Sequence, residues 1–308
     1  MRVTILGGTG FVGSYIVEQL LEHGHEPVCL VRRGSENKVE QPERCWLVPG
    51  DIDDADAVRE AVKDSEAVIY NIGIIREFPQ DGITFHSLHF DGAKRAMNIA
   101  EADGVKRFLL MSANGVKADG TGYQRTKYMA EEVLRSTSLD WTVFRPSLIF
   151  GDPRGKAEFA KQLYQDVIRS PLPAPLFYEG LLPLDAGSFQ MSPIHVRDLA
   201  TAVVKALTMP ETSGKIYPLC GPRTVDWREV IHIVAGAAGV SKPVVPVPVW
   251  AVNTVATFFD RFAFFPITRD QLSMLTQGNT CDSTAVFEAL GIEAPIAFDE
   301  ESLQYVIH

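Results

Sequence analysis

The first half of the chain alternates short apolar runs with amphipathic stretches. The apolar runs predict strands at residues 3–6, 28–31, 46–48, 67–70, 107–111 and 141–144. The amphipathic stretches predict helices at about 11–23, 54–63, 89–103 and 123–137. Strands that are apolar throughout, rather than at every second residue, are typical of a parallel sheet with helices on both faces. The pattern therefore predicts an α/β fold, a doubly wound parallel sheet of the Rossmann type.

The second half has a different pattern, with dense proline and helices near 156–169, 197–208, 226–238 and 249–263 joined by long irregular loops. Long loops in a compact protein are more often functional than idle. We predict a first domain over residues 1–150 and a smaller, mostly helical substrate or lid region over 151–308. Part of that region, at about 191–220, is expected to return to the first sheet.

A glycine-rich turn, G7-G-T-G-F-V-G13, lies between the first predicted strand and the first helix. It satisfies GxGxxG, and the glycines allow a tight turn, close approach of backbone to a pyrophosphate, and close packing of helix on strand. The N-terminus of the helix would then face the phosphates. A glycine turn that binds nothing is the alternative. The predicted dinucleotide contacts from this turn are Gly7, Thr9, Gly10, Phe11, Val12 and Gly13.

The end of the second strand indicates which dinucleotide binds. It reads V28-C-L-V-R-R33, with Arg32 and Arg33 and no acidic residue before Glu36. An acidic residue would hold the ribose of NAD, whereas arginine accepts the 2′-phosphate of NADP. NADP(H) is therefore preferred and NAD(H) is the second choice, unless the arginines only cover the surface.

Two further strand ends carry candidate cofactor contacts. Asp51 and Ile52 follow the third strand and could border the adenine, while Asp53 or Asp54 is suited to cap the next helix. Asn71 and Gly73 follow the fourth strand, where a small residue would let the cofactor pass.

Composition excludes several classes of protein. A formal charge of −10 disfavours nucleic-acid binding, which requires a positive surface. The four cysteines have no metal-ligand or disulfide-framework spacing, so we expect reduced thiols, no metal and a cytoplasmic protein without a leader. The longest uncharged segment, residues 243–259, is too short and too rich in proline for a transmembrane helix.

An apolar stripe remains to be explained in the last predicted helix. It consists of Val252, Val255, Phe258, Phe259 and Phe262. Such a stripe suits the core or a pocket wall, and a contact with a membrane surface or a membrane complex is the alternative.

Four blocks of the sequence resemble the extended short-chain dehydrogenase/reductase superfamily. They are the glycine turn, Y123-Q-R-T-K127, F144-R-P-S-L-I-F-G151 and P193-I-H-V-R-D-L-A200. The finer pattern of N71-I-G-I-I-R-E77, H86-S-L-H-F-D-G-A93 and M111-S-A-N114 is similar to the atypical branch. That branch includes the 39 kDa NADPH-binding accessory subunit of respiratory complex I and NmrA-like proteins.

The resemblance implies roles for residues of these blocks. Tyr123 would be a general acid/base, and Lys127 would bind the nicotinamide ribose and lower the pKa of the tyrosine. The i, i+4 spacing places both on one helix face. Arg32 would bind the 2′-phosphate. The nicotinamide would be bordered by Pro146, Ser147 and Leu148.

One block departs from the superfamily pattern. Working enzymes usually carry a pair or triplet of serines after the fifth strand, but here Ser112 comes early and is followed by Ala113 and Asn114. Ser112 or Asn114 could donate to a substrate oxygen instead. Loss of such a donor typically costs hundreds-fold in rate.

Two classes of function are consistent with the sequence. One is an NADP(H)-dependent oxidoreductase or epimerase-like enzyme acting on a carbonyl or quinone-like apolar substrate. The other is a non-catalytic NADPH-binding accessory, assembly or redox-sensing protein of a respiratory membrane complex, or an NmrA-like regulator.

Structural roles are expected or equally consistent for the remaining candidate site residues. His86 and His89 are expected to pack or cap, because no third ligand lies nearby in sequence. Arg145, at the end of the sixth strand, is equally consistent with binding and with a plain strand exit.

Overall fold

In the computed structural model, which describes residues 1–252, 254 and 269–308, the first six strands follow the six predicted apolar runs, and seven further strands of the described residues come after them. They are β1 Arg2–Leu6, β2 Glu26–Val31, β3 Trp46–Pro49, β4 Ala67–Tyr70, β5 Arg107–Met111, β6 Asp140–Pro146, β7 Ile149–Phe150, β8 Ala174–Tyr178, β9 Gln190–Met191, β10 Ile194–His195, β11 Lys215–Leu219, β12 Val225–Asp226 and β13 Val244–Pro248.

The described helices follow in chain order. The α-helices are α1 Phe11–Glu22, α2 Ala55–Val62, α3 Gly92–Ala102, α4 Gly122–Arg135, α5 Phe159–Leu163, α6 Val196–Ala206, α7 Trp227–Ala237, α8 Arg269–Thr276 and α9 Thr284–Ala289. Two π-helical turns are His86–Asp91, which runs into α3, and Tyr164–Ile168, which continues α5. Short 3₁₀ turns are Glu36–Lys38, Pro42–Arg44, Pro79–Asp81, Pro210–Thr212 and Gln304–Ile307.

The chain divides into two units. The sheet unit comprises Met1–Pro146, Val196–Leu219 and Thr284–Glu293. The second unit comprises Ser147–His195, Cys220–Ser283 and Ala294–His308.

The sheet unit is built on a seven-stranded sheet in the order β11-β6-β5-β4-β1-β2-β3. Its neighbouring strands pair in parallel throughout. Chain order reverses at β1, which lies between β2 and β4, and ligands of such sheets bind at the carboxyl ends of the strands beside this point. The predicted doubly wound fold is confirmed.

Burial explains why the central strands are apolar throughout. Leu6, Val68, Tyr70 and Phe108 belong to one cluster of buried residues in this unit. The helices contribute further apolar side chains to the same cluster, among them Val58, Val62, Ala93, Ala96, Met97, Ala130 and Leu134.

Glycine lets the third helix lie close to the sheet. A Cβ placed on Gly92 would lie 2.6 Å from Tyr70 Oη and 2.9 Å from Ile52 Cγ1. The helix predicted at 89–103 begins earlier, as the π-helical turn His86–Asp91, and becomes regular at Gly92.

The second unit combines helices with short strand pairs. Strand β10 pairs in parallel with β7, and β13 pairs in parallel with β8, whereas β12 and β9 are antiparallel. Its core includes Phe150, Trp227, Ile231 and Phe298.

The predicted helix near 226–238 corresponds to α7, where Asp226 caps the first turn by accepting from the backbone N–H of Glu229 at 2.8 Å. The helix predicted at 249–263 falls largely outside the described residues. So do stripe residues Val255, Phe258, Phe259 and Phe262.

A disulfide in the second unit corrects the expectation of four reduced thiols. Cys220 and Cys281 are bonded, with their Cα atoms 5.6 Å apart, whereas Cys29 and Cys45 are free. The two half-cystines are separated by 61 residues in sequence, and the fold rather than a spacing motif brings them together. Cysteine content therefore no longer argues for a cytoplasmic location. Within the described ranges, no helix is long and apolar enough to cross a membrane.

Opening the Cys220–Cys281 bond is expected to lower the free energy of unfolding by about 2–4 kcal/mol, because a long closed loop restricts the unfolded chain. Urea unfolding of the protein with and without reductant, and of the double variant Cys220→Ala, Cys281→Ala, measures this loss. The half-buried free thiol changed in Cys45→Ala is the control and should unfold near the wild-type midpoint. Equal midpoints for the oxidised and reduced protein would contradict the expectation.

Candidate functional site

The glycine turn connects the end of β1 to the start of α1. Gly7 has φ +102°, a backbone conformation that disfavours other residues. A Cβ on Gly13 would lie 2.1 Å from the backbone oxygen of Gly7, so the helix can pack on the turn only with glycine there. Gly10 is the N-cap of α1 and has no side chain that could accept a hydrogen bond from the first turn. The positive end of the helix dipole therefore lies at this turn. The turn therefore has the form of a phosphate-binding cradle.

The other residues of the turn lie around this cradle. Thr9, Phe11 and Val12 are partly buried. The ring of Phe11 makes an edge contact with Tyr15, with centroids 6.0 Å apart, which fixes the start of α1.

Positive charge follows the end of β2. Arg32 and Arg33 are exposed. The nearest acidic residue, Glu36, is bonded to its own loop, since its Oε1 accepts from the backbone N–H of Gly34 at 3.1 Å. Hydrogen bonds from the N–H groups of Glu36 and Gly34 lower the pKa of this carboxyl. The end of β2 is therefore followed by two exposed arginines and by a carboxylate that is bonded within its own loop.

The end of β3 leads into a capped helix. Asp51 Oδ1 accepts from the backbone N–H of Ile52 at 2.7 Å, and Ile52 is buried. Arg95 donates to the backbone oxygen of Ile52 at 2.8 Å. Of the two candidates for the cap of α2, Asp54 is the residue that accepts from the first turn.

The chain after β4 runs close to α4. Asn71 continues the sheet, donating its N–H to the oxygen of Leu6 at 2.9 Å. A Cβ on Gly73 would lie 3.5 Å from Lys127 Nζ and 3.9 Å from His89 Nε2. The small residue after β4 therefore leaves room beside the lysine.

Lys127 is buried on α4, which begins at a capping box formed by Thr121 and Gln124. Its Nζ donates to the backbone oxygen of Met111 at 2.9 Å. Burial lowers the pKa of Lys127 to about 8, although the negative charge of Glu131 raises it. The lysine is largely protonated at neutral pH.

Tyr123 lies one turn before Lys127, and Lys127 Nζ is 5.8 Å from the centre of its ring. The ring packs perpendicular to Phe85 and His89, with centroids 5.7 and 5.2 Å away. Burial raises the pKa of the Tyr123 phenol. The resemblance implied the opposite direction, because it took account of the cation but not of the apolar rings around the phenol.

His89 packs between these side chains. Its Nε2 accepts from the backbone N–H of Ile74 at 3.0 Å, and its Nδ1 lies 3.3 Å from Thr126 Oγ1. Burial and the charge of Lys127 lower the pKa of His89 to about 2. The expected packing role therefore holds, although the sequence did not indicate that His89 lies beside Tyr123.

The other histidine of the pair, His86, is exposed and binds Asp91 through Nδ1 at 2.8 Å. No cluster of potential metal ligands occurs among the residues that the structure describes.

The hydroxyl of Ser112 is bound inside the protein. Its Oγ donates to Glu131 Oε1 at 2.5 Å. Because a hydroxyl has one proton, Ser112 cannot donate to a substrate at the same time. Asn114 is partly buried, and its backbone N–H donates to the oxygen of Pro146 at 2.8 Å. Of the two predicted substrate donors, Ser112 is thus the one whose proton goes to another group of the protein.

Arg145 binds the same carboxylate. Its Nε and Nη2 donate to the two oxygens of Glu131 at 2.9 and 2.6 Å. This bidentate pair favours the structural role for Arg145 over direct ligand binding.

The residues after β6 belong partly to the second unit. Pro146 ends β6, and Ser147 Oγ donates to the backbone oxygen of Ser192. The oxygen of Leu148 accepts from the N–H of Ile194 at 2.8 Å, next to the β7–β10 pair.

Lys127, His89 and Ser112 line one narrow cleft at the carboxyl ends of β4 and β5. Its other lining residues are Tyr70, Ile72, Leu110, Met111 and Ala130. The sequence indicated Lys127 and Ser112 through their motifs, but the apolar walls of the cleft carry no motif.

Residues 7–167 match a protein family described as NAD(P)H-binding. The chain is 26% identical over 286 residues to subunit 9 of the mitochondrial NADH dehydrogenase [ubiquinone] 1 alpha subcomplex from Dictyostelium discoideum, covering 90% of this chain and 76% of that protein. It is also 26% identical over 263 residues to ceramide reductase from Caulobacter vibrioides, covering 85% of this chain and 78% of the reductase.

A solved structure shares the fold. The UDP-glucose 4-epimerase of Thermus thermophilus in complex with NAD superposes with a TM-score of 0.75 at 20% identity, covering 100% of this chain and 98% of the epimerase.

Proposed function

The chain belongs to the NAD(P)H-binding family as an atypical short-chain dehydrogenase/reductase, and we propose that it is an NADPH-dependent oxidoreductase that reduces the carbonyl of an apolar substrate. The observation that carries this proposal is the placement of Tyr123 and Lys127 on one face of α4, with Lys127 Nζ 3.5 Å from the position of a Cβ on Gly73. The Lys127 ammonium therefore lies 5.8 Å from the centre of the Tyr123 ring, at the carboxyl edge of the sheet and beside the point where chain order reverses.

The residues present suit a dinucleotide. The cradle that a Cβ on Gly13 would fill admits a pyrophosphate at the start of α1. Arg32, with Arg33 beside it, would hold a 2′-phosphate, and Lys127 would hold the ribose of the nicotinamide. The other proposed cofactor contacts are Asp51, Ile52, Asn71, Gly73, Pro146, Ser147 and Leu148.

Bound NADPH would supply a hydride to the carbonyl carbon of the substrate. Tyr123 would give its proton to the carbonyl oxygen, so that the products are the alcohol and NADP⁺, and solvent would restore the proton. A raised pKa keeps the phenol protonated at neutral pH, as reduction requires. Asn114 would donate a second hydrogen bond to that oxygen, since Ser112 donates to Glu131. The apolar character of the substrate is supported by the relation to ceramide reductase.

Arg32→Ala is expected to remove most of a preference for NADPH over NADH of about tenfold or more, because the 2′-phosphate loses a charge-assisted hydrogen bond. Fluorescence titration of both nucleotides against both proteins measures the preference. Arg44→Ala removes an exposed charge of the same unit that donates to Gln41, and it should leave the preference unchanged. Equal affinities of the wild-type protein for NADPH and NADH would contradict the cofactor assignment.

The activity itself is tested by incubating the purified protein and NADPH with long-chain aldehydes, ketones and quinones, and following loss of the reduced nicotinamide absorbance. Consumption with an apolar carbonyl, and formation of the matching alcohol, is the expected result. Binding of NADPH without consumption by any of them would overturn the assignment as a reductase.

A second candidate function is a non-catalytic NADPH-binding accessory protein of a respiratory membrane complex. The engagement of Ser112 by Glu131 favours it, as does the relation to a subunit of NADH dehydrogenase. In this case Tyr123 and Lys127 would bind the ribose only. Leu181 and Leu184, which are 94% and 90% exposed, would suit contact with a membrane or a partner protein. A cytoplasmic location stays a prediction under either function.

A further inference from the structure

Glu131 is a carboxylate with no exposed surface that collects donors from three elements. It lies one turn after Lys127 on α4, and its side chain is 0% exposed. Ser112, the residue after β5, donates to it at 2.5 Å, Arg145 from β6 donates twice, and Arg135 Nη2 from α4 donates at 3.0 Å. A buried carboxylate stays charged only when it is paired in this way. Glu131 is therefore a fixed negative charge inside the sheet unit.

Lys127 lies close to that charge. Its Nζ donates to the backbone oxygen of Met111, and the next residue, Ser112, donates to Glu131. Burial disfavours an ammonium, and the charge of Glu131 acts against this effect. Arg135 and Arg145 form ion pairs with the same carboxylate, so two further positive charges lie near Lys127. Because guanidinium groups do not lose protons at accessible pH, Lys127 is the cation of this group that would deprotonate if the negative charge were removed.

The other groups that face Lys127 do not replace Glu131. His89, from the turn before α3, is neutral because its pKa is lowered by burial and by the lysine itself. The phenols are Tyr123 on α4 and Tyr70 on β4, and burial raises the pKa of both. Each of these groups is uncharged at neutral pH. The negative charge that acts on Lys127 is that of Glu131.

We propose that Glu131 is a positioning residue that keeps Lys127 protonated for the cofactor ribose and so sets the pH above which NADPH affinity is lost. The inference rests on the proposed function only for the part played by NADPH. A lysine with a lowered pKa is charged below that pKa and loses its charge as the pH rises through it. Affinity should accordingly be full at neutral pH and start to fall near pH 8 in the wild-type protein, the value to which burial lowers the pKa of Lys127.

The test compares Glu131→Gln with Glu132→Gln. Glutamine keeps an oxygen acceptor for Ser112 but removes the charge. Glu132 is adjacent, exposed, and also paired with Arg135. The rate of acylation of Lys127 is measured against pH by mass spectrometry of its peptide, and NADPH affinity is measured over the same range. In Glu131→Gln both midpoints should move down by on the order of one pH unit, while Glu132→Gln should match the wild-type protein.

Two further variants keep the proposal testable if Glu131→Gln does not fold. Glu131→Asp disturbs the packing but keeps the negative charge. The midpoints of its acylation and NADPH-affinity profiles should therefore stay near those of the wild-type protein. Lys127→Arg cannot deprotonate, so its NADPH affinity should not fall with pH in the same range. A Glu131→Gln midpoint equal to that of the wild type, or an equal downward shift in Glu131→Asp, would overturn the role of Glu131.

Failure of this inference is distinct from failure of the proposed function. The acylation profile of Lys127 is measured without nucleotide, and it decides the effect of Glu131 by itself. Wild-type protein that shows the expected profile but binds no NADPH would instead overturn the cofactor function.

Discussion

Gly10→Ala is expected to fold with nearly unchanged stability and to lose NADPH affinity by about 100-fold or more, which is roughly 3 kcal/mol. Gly10 has φ −79° and ψ 176°, which any residue adopts, and a Cβ there would meet the Gly7 oxygen at an ordinary 3.5 Å. The added methyl group is thus tolerated without ligand. It would occupy the exposed start of α1, where the backbone must approach a pyrophosphate closely.

Gly13→Ala separates this effect from damage to the fold. Its Cβ would lie 2.1 Å from the Gly7 oxygen and 2.8 Å from Gly8 Cα, both backbone atoms that cannot rotate away. The variant should therefore lose both affinity and stability, whereas Gly10→Ala should lose affinity alone. Titration with NADPH and urea unfolding, applied to both variants, measure the two quantities.

Gly24→Ala is the control for the general cost of replacing a glycine. Its φ is +72°, but no atom lies within 4 Å of the added Cβ. It should cost some stability through backbone strain and leave NADPH affinity unchanged. Wild-type affinity in Gly10→Ala would show that no phosphate approaches this turn.

The sheet was predictable because its signals are local. Each central strand is a mostly apolar run, and the glycine turn combines a motif with its neighbouring strand and helix. Edge strand β11 is harder to recognise, since Lys215–Leu219 is mostly half-exposed and contains Pro218. Its pairing with β6 depends on the rest of the sheet.

The contacts that fix the rest of the sheet unit, at both ends of β5, are not local. The sequence predicts that Arg107 begins a strand and indicates nothing more about it. In the structure its guanidinium donates to Thr142, Ala206 and Thr212, at sequence separations of up to 105 residues. Likewise, the sequence indicated Ser112 as a substrate donor because it follows the fifth strand and its hydroxyl can donate to a substrate oxygen. Only the fold brings Glu131 of α4 to it. The fold also buries Lys127 and packs Tyr123 against Phe85 and His89, and the pKa values of both are shifted.

Tyr123→Phe is expected to reduce turnover of NADPH with an apolar carbonyl by about 10²- to 10⁴-fold, because a positioned proton donor contributes about that much to the rate. Phenylalanine keeps the ring contacts with Phe85 and His89, so the free energy of unfolding should be nearly unchanged. The NADPH affinity should stay within about threefold of the wild-type value. Steady-state rates and NADPH titrations measure the two effects. Tyr128→Phe, at the residue that follows Lys127 on the same helix, should change neither.

The direction of each change distinguishes the roles of the phenol. A fall in turnover with unchanged affinity assigns proton donation to Tyr123. A fall in affinity with unchanged turnover of bound NADPH would mean that the hydroxyl binds the ribose and that another group, with Asn114 the first to test, gives the proton. In the accessory function no variant has turnover to lose, and Tyr123→Phe would then act on NADPH affinity alone. Rate and affinity are therefore measured together, because a fall in affinity by itself is compatible with both the second and the third of these outcomes.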